Sequence, residues 1–308
     1  MSNFILAILP VISVVALGRF LAWRSVLPPE GWRAIERLAY LVLLPALIIL
    51  VLAEAEFDPS LWKLGVTLIG AQCLLGAISL LANLHAPSRG PGIGSIIQSN
   101  VRWSTFIALS LGGALYGDEG LALVAIAAAV MIPTANVLSV WGLTSHADKP
   151  SHERPHMLLN LARNPLIIAC FIGGAFGFSG WVIPGPVESG LEFLAQATIG
   201  LGLLSAGAGV DLGALVRSGG RTLLWSLVRL FGLPALVVGI GFLFGLSGMP
   251  LAIAVICASA PTATTGFILA RELGGDTALS ANLIAVQTVL SAISMPLIWF
   301  AMNYSGLI

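Results

Sequence analysis

The sequence predicts an all-α integral membrane protein: ten transmembrane helices in two inverted five-helix repeats, with the fourth and ninth helices broken. Three observations predict it. Hydrophobic residues make up 57% of the 308-residue chain and charged residues only 9%, against about 25% charged in average soluble domains. Charge-free runs such as Leu38–Ala53, Leu64–Leu84, Leu121–Thr144 and Thr277–Ile308 match the roughly 20 apolar residues that span a bilayer. Two further apolar stretches, about half a chain apart, are interrupted by polar residues at Gln98–Thr105 and Ser259–Thr265. A soluble protein so poor in charge would expose large apolar patches and aggregate.

Hydropathy and turn punctuation place the spans at about 4–22, 35–53, 61–82, 94–115, 120–143, 163–182, 190–210, 221–246, 249–271 and 277–301. Pro28, Pro29, Pro59, Pro87, Pro150, Pro184 and Pro250 fall at or beside the predicted ends, where a missing N–H costs least. The first span lacks a basic leader, and Arg19 and Arg24 follow its apolar run. It reads as an uncleaved helix rather than a signal peptide.

Charge tests the count independently. With loops assigned to alternate sides, one side collects Arg19, Arg24, Arg33, Arg37, Arg89, Arg102, Lys149, Arg154, Arg163, Arg217, Arg221, Arg229 and Arg271, and the other only Lys63. That asymmetry is the positive-inside signature, and it puts both termini outside a cell (inner) membrane. Five spans per half turn the second half upside down, an inverted repeat. The repeat runs over 1–143 and 163–308, joined by a cytoplasmic linker at 144–162. Within it, Leu111, Leu115, Gly117, Asp118 and Leu121 match Leu269, Leu273, Gly275, Asp276 and Leu279.

Interrupted hydrophobic segments at equivalent places in two halves point to a transporter's binding site. In the first, QSNVRWST, the candidates are Gln98, Asn100, Arg102, Ser104 and Thr105. Asn100 and Ser104, four apart, would share a helix face. Arg102 lies about eight residues into its span, roughly 12 Å at the helical rise. An intramembrane arginine marks function by default, and its planar fork suits a carboxylate or phosphate. The plain alternative is snorkelling to the interface. In the second segment Pro261 frees backbone carbonyls, which Thr262, Thr264 and Thr265 could satisfy or offer to a ligand; a simple proline kink is the alternative. Asn136 lies deep in the fifth span, and Gln287, Thr288 and Ser291 are its rough counterpart in the tenth. For Ser291 the plain reading is a local hydrogen bond one turn away. Arg229 sits as deep as Arg102 but makes a weaker case, because its neighbours are apolar. Gln72 and Gln196 read as helix–helix hydrogen-bonding residues.

Other chemistries find little support. Cys73, Cys170 and Cys257 stand alone and give neither a disulfide framework nor a zinc site. His85, His146, His152 and His156 fall in predicted loops, and neither a P-loop, HExxH nor GxSxG is present. No metal site, cofactor or catalytic residue is expected. Net charge is zero without a basic aromatic-interleaved run, so nucleic acid is not an expected partner. No acid lies deep in a span, which argues against a carboxylate proton relay. Sodium held by carbonyls and hydroxyls at the breaks stays open, as does proton coupling.

GRFLAWRSVLPPEGWRAIERLAYLVLLPALI, with Pro45 in the second span, resembles the opening of auxin efflux carrier (PIN-like) proteins. QSNVRWSTFIALSLGGALYG resembles their fourth helix, RNPLIIACFIGGAFG their sixth and APTATTGFILARELGGD their ninth. The resemblance implies the fold of the bile acid–sodium symporters. Spans 1, 2, 6 and 7 would form a scaffold, and spans 3–5 and 8–10 a mobile transport domain. The fourth and ninth helices would cross at Arg102–Thr105 against Pro261–Thr265, with an organic anion beside the crossing. Relatives often carry Asn two residues after the arginine, where this chain has Ser104; Asn100, one turn earlier, is the candidate substitute. The expectation is a carrier or facilitator of a small organic anion, a carboxylate foremost, working by alternating access in the lipid bilayer. Sodium-coupled symport is the alternative, a membrane enzyme or receptor a distant one, and a homodimer is left open.

Overall fold

The structure, a computed structural model, describes residues 2–55, 58–82, 90–147 and 163–308. The expectations for Arg89, Lys149, Arg154, His85, His152 and His156 lie outside the described residues. In chain order the α-helices are α1 (Ser2–Trp23), α2 (Pro29–Leu38), α3 (Leu44–Ala53), α4 (Trp62–Ser79), α5 (Gly90–Val101), α6 (Thr105–His146) and α7 (Pro165–Ser179). They continue as α8 (Gly185–Ala208), α9 (Leu212–Arg217), α10 (Gly220–Leu227), α11 (Leu233–Leu243), α12 (Gly248–Ser259), α13 (Gly266–Glu272) and α14 (Thr277–Tyr304). There is no strand among the described residues. Seven stretches of them are long and apolar enough to cross a membrane, and α7 and α12 are shorter apolar helices. Large side chains such as Phe171, Phe178, Val216 and Leu243 are exposed, as a lipid-facing surface allows.

Proline chemistry shapes two helices alike. Pro45 and Pro234 lack an N–H, and each ring would meet the carbonyl four residues back. In both places the backbone widens into a π turn just before the proline, at Ala39–Leu43 and Val228–Gly232. The widened turn absorbs the clash while the helix continues. Gly117 does the opposite within α6: its φ of 61° and ψ of −144° divide the helix, a conformation open essentially to glycine alone. The predicted boundary between the fourth and fifth spans falls there.

The chain groups into two compact units. The first comprises Met1–Trp62, Thr105–Ala129 and Leu161–Gly209, in which α8 packs on α1, α2 and α3, and α7 packs on α3. Close approach rests on glycine: a methyl group on Gly18 would strike the Leu204 carbonyl, and one on Gly207 the Val15 carbonyl. Small residues let backbones pack closely in a membrane interior. Asn164 starts α7 by accepting from the Leu166 and Ile167 amides, the expected N-cap. Gln196, expected in a helix–helix hydrogen bond, is exposed on α8.

The second unit comprises Lys63–Ser104, Val130–Asn160 and Val210–Ile308. Here α14 packs on α5, α9, α10, α12 and α13, around a core of Ala82, Ile96, Trp225, Leu279 and Leu283. Asp276 caps α14 by accepting from the Leu279 amide at 2.9 Å. Gln72 bridges helices as expected, donating to Val101 O at 2.8 Å and Met131 O at 3.3 Å. His146 ends α6 instead of lying in a loop, its Nδ1 2.8 Å from Gly142 O.

Candidate functional site

Both interrupted segments are true breaks, and both are placed differently from a kinked continuous helix. The fourth predicted span, 94–115, is two helices: α5 stops at Val101 and α6 begins at Thr105. Arg102 therefore follows the last turn of α5 rather than standing inside a helix, its amide reaching Gln98 O at 3.1 Å. Asn100 and Ser104 do not share a helix face. Ser104 is the extended N-cap of α6 (φ −86°, ψ 100°). The ninth predicted span, 249–271, is also divided, into α12 and α13 with Ala260–Thr265 between them. Ala260 is extended (φ −61°, ψ 137°) because the following Pro261 disfavours helical geometry at the residue before it.

The two breaks meet inside the second unit. The Ser104 amide donates to Pro261 O at 2.8 Å. Arg102 is half-buried, and its guanidinium donates through Nη1 to Asn136 Oδ1 at 3.0 Å and through Nη2 to Thr265 Oγ1 at 3.2 Å. One side chain thus spans from the first break to α6 and to the second break. With Asn136 Oδ1 and Thr265 Oγ1 accepting from Arg102, what these two groups can still present to a ligand includes the Asn136 amide hydrogens and the Thr265 hydroxyl hydrogen. Arg102, Asn136 and Thr265 therefore form a rim rich in donors, a composition that suits an anion.

Buried polar residues hold the backbone behind that rim. Helices α5 and α12 end in the interior, where their last carbonyls have no intrahelical partner. Arg229, with no exposed surface, fills that role. Its Nε and Nη2 donate to Arg102 O, Nη2 also to Ala260 O at 2.9 Å, and Nη1 to Ala258 O. Gln287 Oε1 accepts from the Thr262 amide at 3.1 Å. Gln98 Nε2 donates to Gly266 O at 2.9 Å and to Ser280 Oγ at 3.1 Å. Asn100 turns away, donating to Ser79 Oγ at 2.8 Å, so it supports α4 rather than the rim. Thr262 is buried and Thr264 half-buried, beside the second break. Ser291 bonds locally to Thr288 O at 2.7 Å. Thr105 is half-buried at the start of α6 and belongs to the first unit.

Sequence reasoning underrated Arg229 and passed over Ser79 and Ser280. Apolar neighbours along the chain hid the arginine's surroundings, which come from other helices. A signal was present: Leu-Pro-Ala-Leu recurs at 44–47 and 233–236, and a proline deep in a helix reorganises the turn before it.

No group of three or more His, Cys, Asp or Glu side chains fit to hold a metal occurs among the described residues. No Asp or Glu is buried among them. Residues 3–299 match the family described as Membrane transport protein. The chain belongs to this family. It is a family of membrane transporters of the auxin efflux carrier type rather than of enzymes. A transporter of uncharacterized function from Methanothermobacter thermautotrophicus is 27% identical over 297 residues, covering 94% of this chain and 95% of the relative. A protein of Oryza sativa subsp. japonica named probable auxin efflux carrier component 5b is 28% identical over 147 residues, 46% of this chain and 39% of that one. The membrane transport family thus accounts for nearly the whole length, both breaks included.

Proposed function

We propose that this family member is a secondary carrier or facilitator of a small organic anion, a carboxylate foremost, held at the meeting point of the two breaks. The observation that carries the reading is the placement of Arg102. Its half-buried guanidinium joins Asn136 and Thr265 from two other segments and adds a cationic fork to a rim of donors. Arg102, Asn136, Thr265, Ser104 and Thr264 contact the ligand. Arg229, Gln287 and Gln98 shape the backbone beneath it.

Ten spans in two inverted repeats, with both termini outside a cell membrane, follow from the charge asymmetry. The division of the chain into two compact units supports a reading of alternating access. Residues 98–104, Asn136, Arg229 and 260–291 all fall in the second unit, which supports assigning spans 3–5 and 8–10 to the ligand-carrying, moving part. Residues 105–129 group with the first unit, so the fourth and fifth spans are each divided between the two. Spans 1, 2, 6 and 7 supply the scaffold.

The test is uptake into proteoliposomes of labelled acetate, benzoate, malate and indole-3-acetate, the last prompted by the name of the rice relative. Saturable uptake of at least one, lost in Arg102→Ala, is expected. An Arg102→Ala protein with unchanged kinetics for the transported anion removes the arginine from the site. Sodium-coupled symport is a second reading, favoured by Gln98 Oε1 and Thr262 Oγ1, which are buried acceptors with no hydrogen-bond partner among the described residues. Uptake indifferent to replacing sodium with potassium rules it out.

A further inference from the structure

We infer that Arg229 is a positioning residue that locks the two breaks to each other, and is not itself a ligand-binding cation. Its guanidinium is fully buried, and each of its three nitrogens already donates to a main-chain carbonyl. The acceptors come from both breaks: Arg102 O just past the end of α5, and Ala258 O and Ala260 O around the end of α12. Both ends are C-terminal, where aligned peptide dipoles concentrate negative partial charge. A buried cation there is balanced by two helix ends instead of a carboxylate. The five N–H groups of a planar fork can address several carbonyls at once; an ammonium on a flexible stem cannot reproduce that spread.

The route from sequence is the π turn. Pro234 forces Val228–Gly232 to widen, and Arg229 is the polar residue within it. Because Arg229 holds the carbonyl of Arg102 itself, the root of the proposed anion clamp is fixed by a residue on another helix. The Ser104 amide on Pro261 O closes the same link from the far side. The two breaks therefore shift as one body with α10 and α11, and ligand contacts at one break are held in register with the other.

Hydrogen exchange of the full chain in lipid nanodiscs tests this without any substrate. Arg229→Lys keeps the charge and loses the fork, so exchange should quicken at least ten-fold in both segments 98–106 and 258–266, with α4 and α14 unchanged. Gln287→Leu, which removes the acceptor of the Thr262 amide, should quicken 258–266 alone. Acceleration of one break only in Arg229→Lys, of neither, or of the whole second unit equally would overturn the inference. If Arg229→Lys does not fold, Arg229→Gln read in the same way decides. A transport arm rests on the anion reading above: for a carboxylate that the wild type carries, Arg229→Lys should raise KM about ten-fold with kcat within three-fold. An unchanged KM with a fallen kcat contradicts positioning of Arg102. Absence of flux for every carboxylate in the wild type would sink the anion reading and leave the exchange result standing.

Discussion

The break at Arg102–Ser104 and the break at Ala260–Thr265 interrupt their helices in similar ways but contribute opposite chemistry. The first supplies mainly donors, the Arg102 guanidinium and the Ser104 amide, beside the Arg102 carbonyl that accepts from Arg229. The second supplies mainly acceptors: Ala260 O to Arg229, Pro261 O to Ser104 and the Thr265 hydroxyl to Arg102. Each break satisfies groups that the other leaves open, as a low-dielectric interior requires. The lesson is that neither is a site alone. A proline kink filled by its own threonines would need no partner segment, and here the partner is hydrogen-bonded in place.

Arg229→Met leaves Arg102 O, Ala258 O and Ala260 O unsatisfied together, which should cost on the order of 3 kcal/mol or more and erase uptake. Thermal unfolding in detergent, set beside flux, measures both. Arg102→Ala should act differently, abolishing uptake through a loss of about 2–5 kcal/mol of ligand affinity while the unfolding midpoint stays close to wild type. Gln287→Leu frees the Thr262 amide only, and about 1–3 kcal/mol of stability should be lost with the first break intact by hydrogen exchange. Asn136→Ala removes one acceptor from Arg102, so KM should rise about five-fold, the equivalent of roughly 1 kcal/mol. Ser291→Ala should leave uptake within about two-fold, because its hydroxyl serves only the adjacent turn of α14.

Much of this was legible in the sequence. Polar residues in apolar runs cannot be left unpaired in a membrane, so Arg102, Asn136, Gln287 and Thr265 announced themselves, and the structure places each beside one of the breaks. What stayed hidden was pairing across helices. Asn100 looked like a companion of Ser104 because four-residue spacing implies a shared face only while the helix continues; the helix ends one residue later, and Asn100 serves Ser79 instead. Arg229 looked weak because local apolarity says nothing about the carbonyls that α5 and α12 bring to it. The helix break near Gly117 and the π turn before Pro45 were closer to the surface of the sequence, since glycine and proline act on their own backbone.

The donor rim built on Arg102 is proposed to bind an organic anion. Saturable uptake of a carboxylate by reconstituted wild-type protein, compared with Arg102→Ala and Arg102→Lys at matched folding, tests it most directly. Uptake by the wild type, background flux for Arg102→Ala and a partial return at raised KM for Arg102→Lys are expected. Equal KM and equal rate in wild type and Arg102→Ala would contradict it.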